Sequence, residues 1–322
     1  MNLRRLGRTG LEVSEVGFGA WGIGGTGWIG ADDDESLQAL ERAIDLGLNF
    51  IDTALAYGDG HSEELVGQTV RRRTETVYVA TKIPPRNMRW PASGDDHADA
   101  TFPGEHIRKC TERSLRNLGL DAIDVQQFHV WHDNWLDQGD WRETVAALKQ
   151  EGKIRHFGVS INDHAPDTAL DLVRSGAVDT VQVIYNVFDQ SPEDELFPAV
   201  KEHDVGVLAR VPFDEGGLTG SIGRHTEFPD GDFRARYFQG ERRRQVADRV
   251  RAIVDDLAIE AGDIAETALR FVLSSDAVST VIPGMRSVRN VERNCAAGDG
   301  RGLPPEQLEK LRRHRWIRNF YR

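Results

Sequence analysis

Residues 48–64 read LNFIDTALAYGDGHSEE. Leu48, Phe50 and Ile51 form a short apolar run with the composition of a buried strand. Asp52, Thr53 and Tyr57 follow just past its end. Gly58 and Gly60 supply turns, and Ser62 reads as the N-cap of a helix carrying Glu63 and Glu64 in its first turn. The stretch is thus a strand, a tight polar turn and a helix start. An acid at a strand terminus with a tyrosine on the following glycine turn has little structural purpose, and the segment reads as half of an active site.

The same unit recurs along the chain. Residues 4–14 read as a hairpin turning at Arg8-Thr9-Gly10. Apolar runs at 16–20, 50–51, 76–81, 123–128, 154–159, 178–184, 205–209 and 279–282 then alternate with amphipathic stretches at 34–46, 62–73, 104–118, 140–150, 166–175, 193–202, 241–258 with 263–274, and 288–296. A last amphipathic piece covers 304–316. Alternation implies parallel strands joined by helical crossovers, and eight of them without a linker favour a closed (β/α)8 TIM barrel, α/β in class, with an N-terminal β-hairpin and extra C-terminal helices. The whole of 1–322 reads as one domain.

Composition narrows the partners. A formal charge of −12 argues against nucleic acid or an anionic membrane surface. Cys110 and Cys295 have no metal-like spacing and make no disulfide framework, so no metal is expected and a reducing, cytoplasmic compartment is. The first residues lack a signal-peptide core, and no run approaches a membrane span. Gly22-Ile23-Gly24-Gly25-Thr26-Gly27 matches G-x-G-x-x-G and suggests a Rossmann-type dehydrogenase. The motif requires its glycines to open into an apolar-faced helix. Here WIGADDDE follows, with three acids that repel a pyrophosphate, so the segment reads as a glycine-rich lip above a barrel.

In such a barrel the strand C-termini share one face, where chemistry sits. Asp52 ends the second barrel strand, Lys82 the third and His129 the fourth, and Tyr57 lies on the loop after the second. Each has a bland role: a turn cap, a partner for a buried acid, a satisfied core imidazole, a packing aromatic. Convergence of all four at one mouth outweighs them. A lysine beside a phenol favours the phenolate and lowers its pKa, an aspartate keeps the lysine charged, and a histidine orients a carbonyl oxygen or relays a proton.

DTALAYGDGHSEELVG, Lys82 at a strand end and His129 in QQFH together resemble the aldo-keto reductase superfamily, over nearly the whole chain to VIPGMRSVRNVERN. The resemblance implies NADP(H) lying over the C-terminal mouth without a Rossmann fold. It further implies Tyr57 as general acid, Asp52 and Lys82 as its tuning pair, and His129 as carbonyl-orienting or relay group. On the cofactor side Ser160 matches the family serine of a Ser-Asn pair. Ile161 follows it, so Asn162 is expected to substitute from one position later. Gln182 matches the family glutamine near the carboxamide. Arg210 replaces a stacking aromatic; stacking, reaching the pyrophosphate and pairing with Asp214 or Glu215 all stay open. Gly216, Gly217, Leu218 and Thr219 match a loop whose backbone approaches the pyrophosphate. Gly284 and Arg286 lead into a helix capped by Ser287, with Arg286 matching the position that meets the adenosine 2′-phosphate, Asn290 replacing a longer side chain and Asn294 matching an adenine-contacting asparagine.

The expected reaction is NADPH-dependent, reversible reduction of a small-molecule aldehyde or ketone. Its pocket is read as Trp21, Leu55, Trp131 and Phe213, with Trp28 and Trp90 reaching in from loops. A redox-sensing regulatory barrel would keep the same four polar residues; a chain that starts almost at its hairpin disfavours it. The insertion-like loop 84–103 is assigned to specificity or assembly, while oligomeric state, favoured direction and physiological substrate are not legible.

Overall fold

The computed structural model describes residues 1–321. The hairpin pairs β1 (Leu3–Arg5) with β2 (Glu12–Ser14). Eight parallel strands follow: β3 (Phe18–Gly19), β4 (Phe50–Asp52), β5 (Tyr78–Ile83), β6 (Ile123–Phe128), β7 (Ile154–Ser160), β8 (Thr180–Ile184), β9 (Gly206–Arg210) and β10 (Thr280–Val281). Each pairs with its neighbour in sequence. The first and last are joined by parallel bridges, Val16 to Val281 and Gly19 to Gly284, and the sheet closes. Helix Asp33–Asp45 packs on helix Val288–Ala296, which closes the outer ring as well. Helices Arg242–Leu257 and Pro305–Arg312 are the additional C-terminal pieces.

The strands are apolar because both faces are covered. Val79, Val125, Phe157, Val181 and Val207 are fully buried. The hairpin stops the bottom of the barrel: Leu6 and Val13 join Phe50, Ala80, Val125, Leu208 and Ile282 in a separate apolar cluster. The turn sits so close to the start of β9 that a Cβ on Gly7 would lie 2.2 Å from the Gly206 nitrogen. With the barrel axis stoppered at that end, the strand C-termini open at the opposite mouth.

Local details depart from expectation at a few points. Helix His61–Val70 is capped by Gly60, not Ser62. Ser62 is fully buried and its hydroxyl instead donates to the Ala20 carbonyl and meets the Thr53 hydroxyl at 2.8 Å, tying the helix start to two loops at the mouth. β5 runs to Ile83, so Lys82 lies within the strand and projects into the barrel. Gly22–Gly27 forms a short 3-10 turn and a loop, and the helix that follows begins at Asp33 with Asp32 as its cap. The dinucleotide-fold reading of those glycines therefore fails. Among the described residues no helix is long and apolar enough to cross a membrane.

Candidate active site

Strand register delivers the polar residues. Gln127 pairs with Lys82 across the β5–β6 ladder, and Ser160 with Gln182 across β7–β8. Asp52 closes β4 two ladder positions from Lys82. Asp52, Ser160 and Gln182 line the open mouth, and Lys82 and Gln127 are buried against Asp52.

At the centre, Lys82 Nζ donates to Asp52 Oδ2 at 2.6 Å, to the Thr53 carbonyl at 2.8 Å and to Tyr57 Oη at 3.3 Å. Lys82 and Asp52 are almost completely buried. A pair of charges at that depth persists only if its remaining hydrogen-bonding capacity is met. Here it is: Asp52 Oδ1 accepts from Gln182 Nε2 at 2.8 Å and Gln127 Nε2 at 3.1 Å. Gln127 escaped the sequence reading, although a glutamine in the apolar run IDVQQF calls for a partner just as Gln182 does.

Tyr57 is placed by its turn. Gly58 adopts φ 65° and a Cβ there would lie 1.9 Å from the Gly24 carbonyl oxygen, so the turn demands glycine. The phenol does not titrate as expected. Burial raises its pKa above the ordinary value, and the neighbouring Lys82 ammonium only partly offsets this. The phenol therefore holds its proton at neutral pH, the form a general acid requires. His129, one residue beyond β6, stands edge-on to Tyr57 with ring centres 5.7 Å apart. Burial, reinforced by the Lys82 and Arg210 cations, holds the imidazole well below its usual pKa, so it is neutral. Its Nδ1 is buried without a hydrogen-bond partner.

These groups form the floor of one cavity of about 810 Å³. It runs past Ser160, Gln182 and Arg210, then Gly216 and Thr219, to Gly284, Arg286, Asn290 and Asn294 at the start of helix Val288–Ala296. Ser287 caps that helix as expected, accepting from the Asn290 amide. The cavity suits an elongated dinucleotide: polar groups spread along its length, a cationic guanidinium and a helix N-terminus at one end, and two buried unpartnered nitrogens, His129 Nδ1 and Arg210 Nε, at the other. No cluster of metal-ligating side chains occurs among the described residues.

Trp21 and Phe213 line the cavity, as do Trp28 and Trp90. Two other wall assignments are corrected. Leu55 packs into the hydrophobic core. Trp131 is fully buried among Phe128, Trp135 and Trp141, with its indole donating to Asp133 Oδ1, because the chain turns outward after His129. Leu218 is likewise core, away from the cavity that Gly216 and Thr219 reach. Arg210 pairs with neither Asp214 nor Glu215; its Nη2 donates to Asp163 Oδ1 at 2.8 Å and the Ile161 carbonyl at 2.9 Å. Asp214 is taken by Arg318 and Tyr237, and Glu215 by Tyr321, from a C-terminal tail whose Tyr321 also lines the cavity. Nothing in the sequence signalled that tail.

Asn162 borders the cavity, but its amide is spent on the loop 84–103: Oδ1 accepts from the Ala92 amide at 3.0 Å and Nδ2 donates to the Ala92 carbonyl at 3.2 Å. Trp135 Nε1 on the Asp96 carbonyl pins the same loop, which sets Trp90 edge-on to His129 at 4.6 Å.

The model of the Aldo/keto reductase family matches residues 15–315. The chain is 33% identical to the L-galactose dehydrogenase of Arabidopsis thaliana over 97% of its own length and 93% of that protein. It is 31% identical to the NADH-specific methylglyoxal reductase of Escherichia coli, over 91% and 92% of the two chains. An aldo-keto reductase of Klebsiella pneumoniae, solved in complex with NADPH, superposes with a TM-score of 0.70 at 26% identity, covering 98% of this chain and 96% of that one.

A depressed imidazole pKa has a stability consequence of definite sign. Below about pH 6.5 the unfolded chain takes up a proton that folded His129 refuses, so stability falls with pH until the folded pKa is reached. Between about pH 7 and pH 5 the folded protein therefore loses stability through this group. Urea denaturation at the two pH values should show a smaller pH difference for His129→Gln than for wild type; equal differences would place the imidazole's titration in its ordinary range.

Proposed function

This chain belongs to the aldo/keto reductase family, and we propose that it is an NADP(H)-dependent oxidoreductase reversibly reducing an aldehyde or ketone to the alcohol, with Tyr57 as general acid. The supporting observation is the Asp52–Lys82–Tyr57 chain of contacts beside neutral His129 on the cavity floor.

Bound NADPH supplies the hydride that the carbonyl carbon receives. Tyr57 Oη donates its proton to the carbonyl oxygen as charge develops there, forming the O–H bond of the alcohol. The Lys82 ammonium, 3.3 Å from Tyr57 Oη, stabilises the phenolate left behind, and Asp52 holds the ammonium in place. His129, neutral and edge-on to Tyr57 where it lines the cavity, orients the carbonyl oxygen toward Tyr57. Ser160 and the free face of Gln182 border the place for the carboxamide, and Gly216 lets the backbone approach the phosphates. Arg286 takes the 2′-phosphate, and Asn290 and Asn294 the adenine side. In the reverse direction the same phenolate accepts the alcohol proton.

Tyr57→Phe should lower kcat for aldehyde reduction by about two to four orders of magnitude while NADPH affinity is retained. Turnover near wild type would remove Tyr57 from the reaction, and negligible turnover of every aldehyde by the wild-type chain would favour a regulatory barrel. The nucleotide preference is tested separately, since one relative carries an NADH-specific name. Arg286→Ala should weaken NADPH binding about tenfold more than NADH binding; an equal loss for both would show that Arg286 does not meet the 2′-phosphate.

A further inference from the structure

Loop 84–103 is held to the barrel at two levels. Its base is fixed by His106 Nε2 at 2.8 Å from the Pro84 carbonyl, Trp135 Nε1 donating to the Asp96 carbonyl at 2.7 Å and Gln138 Oε1 accepting from the Ala98 amide at 3.0 Å. Asn134 Nδ2 adds a bond to the Gly94 carbonyl at 3.1 Å. None of these four residues lines the cavity. The tip is held differently. Among the described residues, the hydrogen bonds joining residues 88–92 to anything outside the loop are the two between the Asn162 amide and Ala92.

That amide sits on a rigid mount. Asn162 is 8% exposed and follows the end of β7. On one side of it the Ile161 amide donates to the Gln182 carbonyl at 2.8 Å and the Ile161 carbonyl accepts from Arg210; on the other, Asp163 pairs with the same Arg210. Two residues before Ala92 comes Trp90, which lines the cavity and is 42% exposed. Its ring centre lies 4.6 Å from that of His129, closer than the Tyr57 ring at 5.7 Å. The base anchors keep the loop folded, so what Asn162 adds is the place of the indole.

We propose that Asn162 is a positioning residue for the substrate: by fastening Ala92 it holds Trp90 beside His129, where the indole is the wall for the carbonyl's substituent and favours aldehydes bearing an aromatic or similarly broad apolar group over small ones. This rests on the carbonyl-reductase reading of the site. The gain from such a wall grows with the apolar area and ring contact that the substituent brings. The indole also keeps water from one side of the imidazole. Burial is the largest cause of the depressed His129 pKa. The charged or titratable groups facing that ring are Lys82 from β5, Arg210 from the end of β9 and Tyr57 from the loop after β4, and both cations act in the same direction as burial. Displacing Trp90 therefore moves the imidazole pKa up, toward its ordinary value.

A double-mutant cycle tests this with benzaldehyde and acetaldehyde, compared by kcat/KM in wild type, Trp90→Ala, Asn162→Leu and the combined variant. Asn162→Leu keeps a branched side chain and removes both bonds to Ala92. The preference for benzaldehyde should fall about tenfold in Trp90→Ala and about threefold to tenfold in Asn162→Leu. The combined variant should lose no more than Trp90→Ala, because without the indole Asn162 has nothing to place. An unaltered preference in Asn162→Leu, or losses that multiply in the combined variant, would overturn the proposal. So would weaker NADPH binding in Asn162→Leu with the preference intact, which would assign the amide to the cofactor. Titration of the His129 imidazole by NMR in the cofactor-free protein reads the same placement without turnover. Its pKa should rise in both single variants, and an unmoved value in either contradicts the proposal. If wild type reduces neither aldehyde while the imidazole responds to both substitutions, the reductase reading fails and the placement of Trp90 by Asn162 stands.

Discussion

A lysine ammonium 2.6 Å from an aspartate carboxylate, both almost without solvent contact, is the constraint around which the open mouth of this barrel is arranged. A buried ion pair is weak as a source of stability. Its consequence is positional. Asp52 has one oxygen on Lys82 and the other on two glutamine amides, so the ammonium has a single place to sit. From there it reaches the Tyr57 hydroxyl. Without that cation, burial alone would push the phenol still higher and leave its conjugate base with no counter-charge.

The closed sheet makes the arrangement possible. Asp52, Lys82, Gln127 and Gln182 come from four different strands, and only a curled sheet brings them together. The hairpin plug at the other end means that the site is approached from one side. Loops then decide what enters. Loop 84–103, pinned by Asn162 and Trp135, brings Trp90 over His129; the glycine-rich loop brings Trp28; the C-terminal tail brings Tyr321. Chemistry at strand ends and walls on loops is the division of labour expected of such barrels.

Strand–helix alternation was readable because buried parallel strands are plain apolar runs and their helices carry one apolar face, and those two periods differ. Helices 104–118 and 288–296 match their expected limits because Gly119 and Ser287 are strong end signals. The four central residues were legible because strand ends converge in a barrel. Residues whose partners lie far along the chain were not. Asn162 is used by Ala92, Arg210 by Asp163, and Glu215 by Tyr321, 106 positions away. Leu55 and Trp131 were misassigned because sequence shows that a residue follows a strand end but not which way its side chain turns. The direction of the Tyr57 shift was also missed: a neighbouring cation is visible in the motif, whereas the extent of burial is a property of the folded mouth.

The claim at the centre is that the ammonium–carboxylate pair sets the ionisation of the phenol. Replacing Tyr57 by a difluorotyrosine, whose phenol titrates at lower pH, allows its ionisation to be followed by ultraviolet absorbance in the folded protein. Comparing that protein with the same protein carrying Asp52→Asn and Lys82→Met isolates the pair while keeping the site free of an unmatched buried charge. The account predicts a higher phenol pKa once both charges are gone, because the attraction of Lys82 outweighs the repulsion of Asp52. An unchanged or lower value would contradict it.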